Sequence, residues 1–524
     1  MCTKKRFLSI LLIICLVVGC LSTVAYAGKE ETYSLADKKT VTSKNHSLAT
    51  TADAVARGNE SITAVIDGAD AAYLFNNTVS DAVVDREEKI GTIETLFGCD
   101  VRVSTAYQAS DTTTGKPYTR YICEDNTEVY FDEHGDIFKI STIYADNTVA
   151  YSANTVSVQA MQNICLDMMP DLYDLFGIDT TYSLTETYDF DDDFVFFTFE
   201  NVLPNGVVNP YQSIKIVFNK KTLDLSIAVR FDYTPNAIEP VVSAENALAV
   251  ARAYTSENVV LADVSLTYIS DLLYSSVDAP YYSESCYLVY SIAPAGGNDI
   301  LYVDALTGEY VGRNMEMGEE GFSVAILESN LSTADNYNSD LLDYSSDDIR
   351  KFNSWFSEKA RLAASAMGRL GYTATSSTYY TYQMYTDVRE YLQALNNEYA
   401  FFFSGHGGTE RIGFKKRDIE VKINTSDVTG NWHFVFLDAC ETALNTGWAD
   451  AFKIRGYSNR AFLGWSASVK YDNMYLFAQE FWPLINGRNT VRQAAVDAAA
   501  EVPGSGTTPI RFYGDTTYTG EAWT

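Results

Sequence analysis

The sequence predicts α+β repeat modules followed by an α/β domain with a mostly parallel sheet. Three observations support that division. A hairpin-like signature recurs three times between residues 60 and 315. From Phe322 onward, apolar strands alternate with amphipathic helices, the pattern of a parallel sheet clothed by helices on both faces. In this later region a pair of apolar runs, YAFFFSGHGG and HFVFLDAC, each stop at a chemically capable side chain, His406 and Cys440. At 524 residues the chain is too long for one core, so several domains are expected.

The first 27 residues read as an address. Lys4, Lys5 and Arg6 precede the apolar run FLSILLIICLVVG, and Ala25-Tyr26-Ala27 is a small-x-small cleavage site. This leader, residues 1–27, predicts secretion. The competing reading is a lipobox, Val17-Val18-Gly19-Cys20, in which lipidated Cys20 would anchor the chain at the cell surface. Residues 28–58, rich in Ser, Thr, Lys and Ala without apolar periodicity, read as a flexible tether.

The formal net charge is −31, and the leader holds cations but no acids, so the mature chain is more negative still. Such a surface repels nucleic acid and anionic membrane and attracts basic peptides. With four His and no CxxC, a structural zinc site is not expected.

The repeated signature is an apolar pair, a polar turn and a second apolar strand: YFDEHGDIFKI, IVFNKKTLDLSIA and LYVDALTGEYVG. Phe131, Phe218 and Val303 mark it at near-equal intervals. Helix starts precede the last two copies, at Val156 and Val242, and Ser243 has the position of an N-cap. Three modules follow, spanning 59–150, 151–235 and 236–315. The last resembles PepSY domains, on VSAENALAVARAY, YLVYSI and YVDALTGEYVG. The whole region resembles the propeptides of secreted bacterial peptidases, which implies an intramolecular chaperone or inhibitor.

Within these modules DFDDDF, Asp189 to Phe194, reads as a solvated acidic turn. Calcium is its alternative ligand, without the EF-hand spacing. Cys99, Cys123, Cys165 and Cys286 read as core thiols or disulfide partners, leaving one odd cysteine. RNMEMGEEG, from Arg313, reads as a linker with Arg313 as a processing site or an ordinary exposed arginine.

In the last domain, 316–524, FSVAIL reads as a strand and Asp347 to Leu370 as a helix with an acidic first turn. A second helix follows Thr386-Asp387. The strand to His406, the polar FKKRD stretch and the strand to Cys440 come next, then AFLGWSASV and two closing helices. A thiolate is the nucleophile of choice at neutral pH, and an imidazole beside it balances or moves its proton. Gly407 permits a sharp turn, and the amides of Gly407 and Cys440 are candidates for an oxyanion hole. His433 begins a strand, away from the active edge, and reads as structural.

SGHGG, FLDAC, AFLGWSAS and RFYGD together resemble the clan CD cysteine peptidases, the group of clostripain, gingipains, legumains and caspases. The resemblance covers residues 322 to 524. It implies a caspase-like (caspase-hemoglobinase) α/β fold with His406 and Cys440 as a dyad and no cofactor. It implies a primary specificity pocket floored by Asp438 and walled by Trp465 and Ser466, hence Arg or Lys before the cleaved bond. The expected protein is a secreted endopeptidase made as a zymogen, acting on peptides and restrained by its own N-terminal region. Activating cuts are expected near Arg313 or within Lys415-Lys416-Arg417. The alternatives are an inactive surface binding protein of the same fold and a PepSY-type peptidase inhibitor.

Overall fold

The computed structural model describes residues 60–79, 83–145, 156–255, 259–274, 283–295, 299–315, 346–370, 399–416, 419–430, 432–504 and 509–521. The leader, the tether, the FSVAIL strand, the helix expected after Thr386-Asp387 and Arg417 lie outside these residues.

The first two units run β1 (Glu60–Asp67), α1 (Gly68–Val79), α2 (Val83–Phe97), β2 (Val103–Asp111), β3 (Pro117–Cys123), β4 (Glu128–Asp132), β5 (Ile137–Ser141), α3 (Val158–Phe176), β6 (Ser183–Asp189), β7 (Phe194–Val202), β8 (Val208–Asn219) and β9 (Leu225–Asp232). The nine strands form one sheet, ordered β1-β2-β3-β4-β5-β9-β8-β7-β6. The junction is antiparallel pairing of β5 with β9, Lys139 opposite Val229 and Ser141 opposite Ile227. The two units expected as separate modules therefore share a backbone ladder.

The central strands of this sheet are buried on both faces, which explains the largely apolar run of β7, FVFFTF. Alternation sorts its side chains. Val195, Phe197 and Phe199 join Ile214, Ile216 and Phe218 beneath α1–α3, with Phe75, Cys165 and Leu172. Phe194, Phe196 and Val217 face the other way and share a core with residues beyond 346. Helix α3 is capped by Ser157, whose side chain accepts the Ala160 amide, and stops at Gly177, φ 65°.

The third unit holds β10 (Thr234–Pro235), α4 (Ala244–Arg252), β11 (Leu261–Ser270), α5 (Asp271–Tyr274), β12 (Ser285–Pro294), β13 (Asp299–Asp304) and β14 (Tyr310–Met315). Strands β11–β14 pair antiparallel, and Ala247 and Ala251 of α4 pack on Leu288, Tyr290 and Val303.

The last domain contains α6 (Ser346–Arg369), β15 (Ala400–Ser404), β16 (His406–Gly407), β17 (Arg411–Lys416), β18 (Ile419–Asn424), β19 (Phe434–Asp438), α7 (Gly447–Ala451), β20 (Ala461–Trp465), α8 (Tyr471–Leu484), α9 (Val491–Ala500) and β21 (Ile510–Gly514). Its main sheet is ordered β15-β19-β20-β21, parallel except for β21. One face packs Phe402, Phe434 and Phe436 on Phe477, Phe481 and Trp482 of α8. The other packs Phe401, Val435 and Phe462 with Trp432, Trp448 and Phe452. Phe414, Lys415 and Lys416 of the polar stretch lie in β17, which pairs with β16 and β18.

Buried charges tie the first sheet to this domain. Arg492 of α9 reaches Asp191 at 2.6 Å and Asp193 at 2.7 Å. The expected solvated acidic turn is thus an interdomain clamp, because a guanidinium distant in sequence folds onto it. Lys139 of β5 pairs with Asp497 at 3.0 Å and with Glu501. Lys215 of β8 donates to the carbonyls of Ala499 and Val502 at the end of α9. The first three residues of the linker expected from Arg313 belong to a strand instead, and its remainder, 316–321, lies outside the described residues. Arg313 lies in β14, is 1% exposed, and faces Asp348 of α6 at 3.4 Å. Strand pairing and this contact remove it from the extended, solvent-facing backbone that a processing protease needs.

Candidate active site

Strand register brings the two candidate catalytic residues to one edge. β15 and β19 are parallel neighbours, with Ser404 opposite Asp438 at their carboxyl ends. His406 and Cys440 each follow by two residues. Reacting groups in open α/β sheets gather beyond this edge. The two loops touch at Gly407. A Cβ built there would lie 2.7 Å from Ala439 Cβ, 2.8 Å from Thr442 Cγ2 and 3.1 Å from the Cys440 carbonyl oxygen. Real carbon pairs rest at about 3.5–4.0 Å, so only glycine lets the strand bearing His406 come this close.

The turn after Cys440 is tight. Glu441 has φ 57°, left-handed backbone that a side chain disfavours. Thr442 Oγ1 sits 3.1 Å from the Leu437 carbonyl and 2.8 Å from that of Ala439, and accepts the Trp465 amide at 3.4 Å. Strain at such a turn aims the residue before it.

Cys440 is 1% exposed. The segment after β20 covers it: the Val469 amide donates to Sγ at 3.1 Å, and the Val469 carbonyl lies 3.8 Å away. Ala467 O accepts the Glu441 amide at 3.3 Å. The Val469 amide is placed to balance negative charge on the sulfur, while the same segment blocks its approach to a substrate.

Asp438 departs from its expected role. Its side chain is buried, and both oxygens are engaged. Lys359 Nζ of α6 and Ser404 Oγ each donate to Oδ2 at 2.7 Å, and Trp465 Nε1 donates to Oδ1 at 2.8 Å. The floor expected to receive a substrate cation already holds one from the chain itself. Asp438, which the resemblance implies as a floor for Arg or Lys, is thus occupied by Lys359, Ser404 and Trp465. Trp465, expected as a pocket wall, is buried with its indole committed to Asp438. Ser466 lies between domains: its Oγ donates to Pro509 O at 3.0 Å and meets Tyr188 of β6 at 3.4 Å.

Sequence reasoning passes over Lys359, although a signal exists. It falls on the apolar stripe of α6, between Phe352, Trp355 and Phe356 on one side and Ala363 and Ala366 on the other. Burial lowers its amine below the usual lysine value, with Asp438 opposing that shift.

Gly407 pairs with Ile412 across β16–β17, and Lys415 and Lys416 lie on β17 opposite Glu420 and Ile419. His433 precedes β19 at the opposite end of the sheet, its amide donating to Tyr399 O. Burial, then Arg460, lowers its imidazole below the ordinary value. Cys99, Cys123, Cys165, Cys286 and Cys440 all carry thiols, which overturns disulfide pairing among them. Burial raises the Cys165 and Cys286 thiols to about 12, values of core residues rather than nucleophiles. Among the described residues no cluster of three or more His, Cys, Asp or Glu is arranged to hold a metal, and no helix is long and apolar enough to cross a membrane.

No protein-family model matches the chain, and no curated protein matches it. Among solved structures, the Bacillus megaterium YpeB C-terminal domain matches at TM-score 0.26 and 14% identity, over 45% of this chain and 97% of that one.

Proposed function

We propose that this chain is a secreted cysteine endopeptidase of caspase-like α/β fold, held latent by its own N-terminal modules. The observation that supports it most is the shared strand edge: Ser404 and Asp438 in register, His406 and Cys440 two residues beyond, and Gly407 against the Cys440 turn. Cys440 gives its thiol proton to His406 and Sγ attacks the scissile carbonyl carbon, and the amides of Gly407 and Cys440 hold the resulting oxyanion. His406 protonates the leaving amine as the C–N bond breaks, giving a thioester. Water, deprotonated by His406, then hydrolyses it.

Latency is supported by Val469 over the sulfur and by the core shared between the first sheet and the last domain. The test is proteolysis of a mixed peptide library by the full-length protein, before and after limited trypsin treatment. New cleavages are expected in wild type and none in Cys440→Ala. Equal inertness of both proteins sinks the enzyme reading. One observation favours a second reading, a peptidase-fold binding protein without turnover: the nearly complete burial of Cys440. It is recognised by saturable peptide binding with no cleaved product.

A further inference from the structure

The Lys359 ammonium is enclosed. Its Nζ donates to Asp438 Oδ2 and to Ser404 Oγ, both at 2.7 Å, and lies 4.7 Å from the Phe356 ring centroid. Lys359 is 1% exposed and Asp438 0%. The three strand-end residues in this cluster, Ser404, Asp438 and Trp465, belong to adjacent parallel strands, and Cys440 follows Asp438 by two residues. A carboxylate at the root of the nucleophile's turn is a natural receptor for a guanidinium or ammonium. Here helix α6 supplies that cation from within, and Trp465 takes the oxygen that a bidentate guanidinium would need.

We propose that Lys359 is a specificity-determining residue, an internal cation that occupies Asp438 and excludes Arg and Lys side chains from the position beside Cys440. The substrate class is then peptides with an uncharged residue before the cleaved bond. This rests on Cys440 being the nucleophile. Placing an external cation there requires displacing Lys359 or desolvating a second positive charge beside it, and both oppose binding.

The experiment uses two peptidyl chloromethyl ketones that differ only in the reacting residue, arginine or alanine. Labelling of Cys440 is followed by mass spectrometry in trypsin-treated full-length protein. Wild type is expected to react at least tenfold faster with the alanyl probe. In Lys359→Ala the arginyl-to-alanyl rate ratio rises at least tenfold, and Lys359→Met/Asp438→Asn, which lacks both charges, keeps the wild-type ratio. A merely structural lysine would change both rates together and leave the ratio fixed. The wild-type preference needs no variant, and n-butylammonium serves as a second probe. It should raise the melting temperature of Lys359→Ala but not of the double variant. A wild-type preference for arginine, or an unchanged ratio in Lys359→Ala, overturns the proposal. Absence of labelling by either probe in every protein overturns the nucleophile reading and the proposal with it. Butylammonium rescue in that case leaves Lys359 as a stabilising partner of Asp438 alone.

Discussion

Gly407→Ala tests the contact between the two site loops. The added methyl carbon would stand 2.7 Å from Ala439 Cβ and 2.8 Å from Thr442 Cγ2. Ordinary carbon contacts need about 3.5 Å or more, so the loops must separate by roughly 0.8 Å. Separation is resisted because Ala439 and Thr442 share a turn tied by Thr442 Oγ1 to two carbonyls. Overpacking of this kind costs about 1–3 kcal/mol, and the tied turn argues for the upper half of that range. All six tryptophans lie between Trp355 and Trp523, so intrinsic fluorescence during urea unfolding reports on the last domain. A loss of about 2 kcal/mol is expected, with roughly half recovered in Gly407→Ala/Ala439→Gly, which deletes the nearest carbon. A loss under about 0.5 kcal/mol would refute the contact, since surface substitutions alone fall in that range.

Other outcomes follow from the interdomain charges. Arg492→Met deprives Asp191 of its guanidinium and leaves Asp193 with Lys221 alone, and should cost roughly 1–3 kcal/mol by urea unfolding at pH 7. Burial acts to raise the Asp193 carboxyl, but Lys221 and Arg492 outweigh it and hold it below its ordinary value. Its contribution is therefore present above the usual carboxylate range and disappears as pH falls through the lowered value, so the variant's deficit should shrink toward pH 3. Burial lowers the Lys215 amine to about 8, while Glu186, Glu200 and Glu501 oppose it. The folded chain then sheds this proton before the unfolded chain does. Between about pH 8 and 10.5 wild type should gain roughly 2–4 kcal/mol relative to Lys215→Met, read from paired urea melts. Native-state trypsin mapping should give no cut after Arg313, which becomes cleavable only on unfolding. A prompt native cut there contradicts its burial in β14.

The local elements were legible where local physics decides them. The acidic start at Asp347-Asp348 and apolar spacing mark α6, and two-sided burial makes β15, β19 and β20 short unbroken apolar runs. Ser243 announces a helix start because its hydroxyl caps an exposed amide. Illegible features depend on partners far along the chain. Asp191 and Asp193 look solvated until Arg492 arrives, and Arg313 looks like linker until Asp348 does. The merging of β5 with β9 has no local signature either, because a ladder uses backbone groups common to all residues. At the site, the edge position of His406 and Cys440 follows from apolar runs that end there. The fate of Asp438 required knowing which face of α6 meets the sheet. A lysine on that helix's apolar stripe was the available clue.

The most direct measurement is the rate of Cys440 carbamidomethylation by iodoacetamide across pH 5 to 9, in wild type and His406→Ala. Mass spectrometry separates the Cys440 peptide from those of Cys123, Cys165 and Cys286, which serve as buried references. If His406 activates Cys440, trypsin-treated wild type labels Cys440 at least tenfold faster than those thiols at pH 6, and His406→Ala removes that advantage. Labelling of Cys440 as slow as the reference thiols, or equally fast without His406, contradicts the dyad.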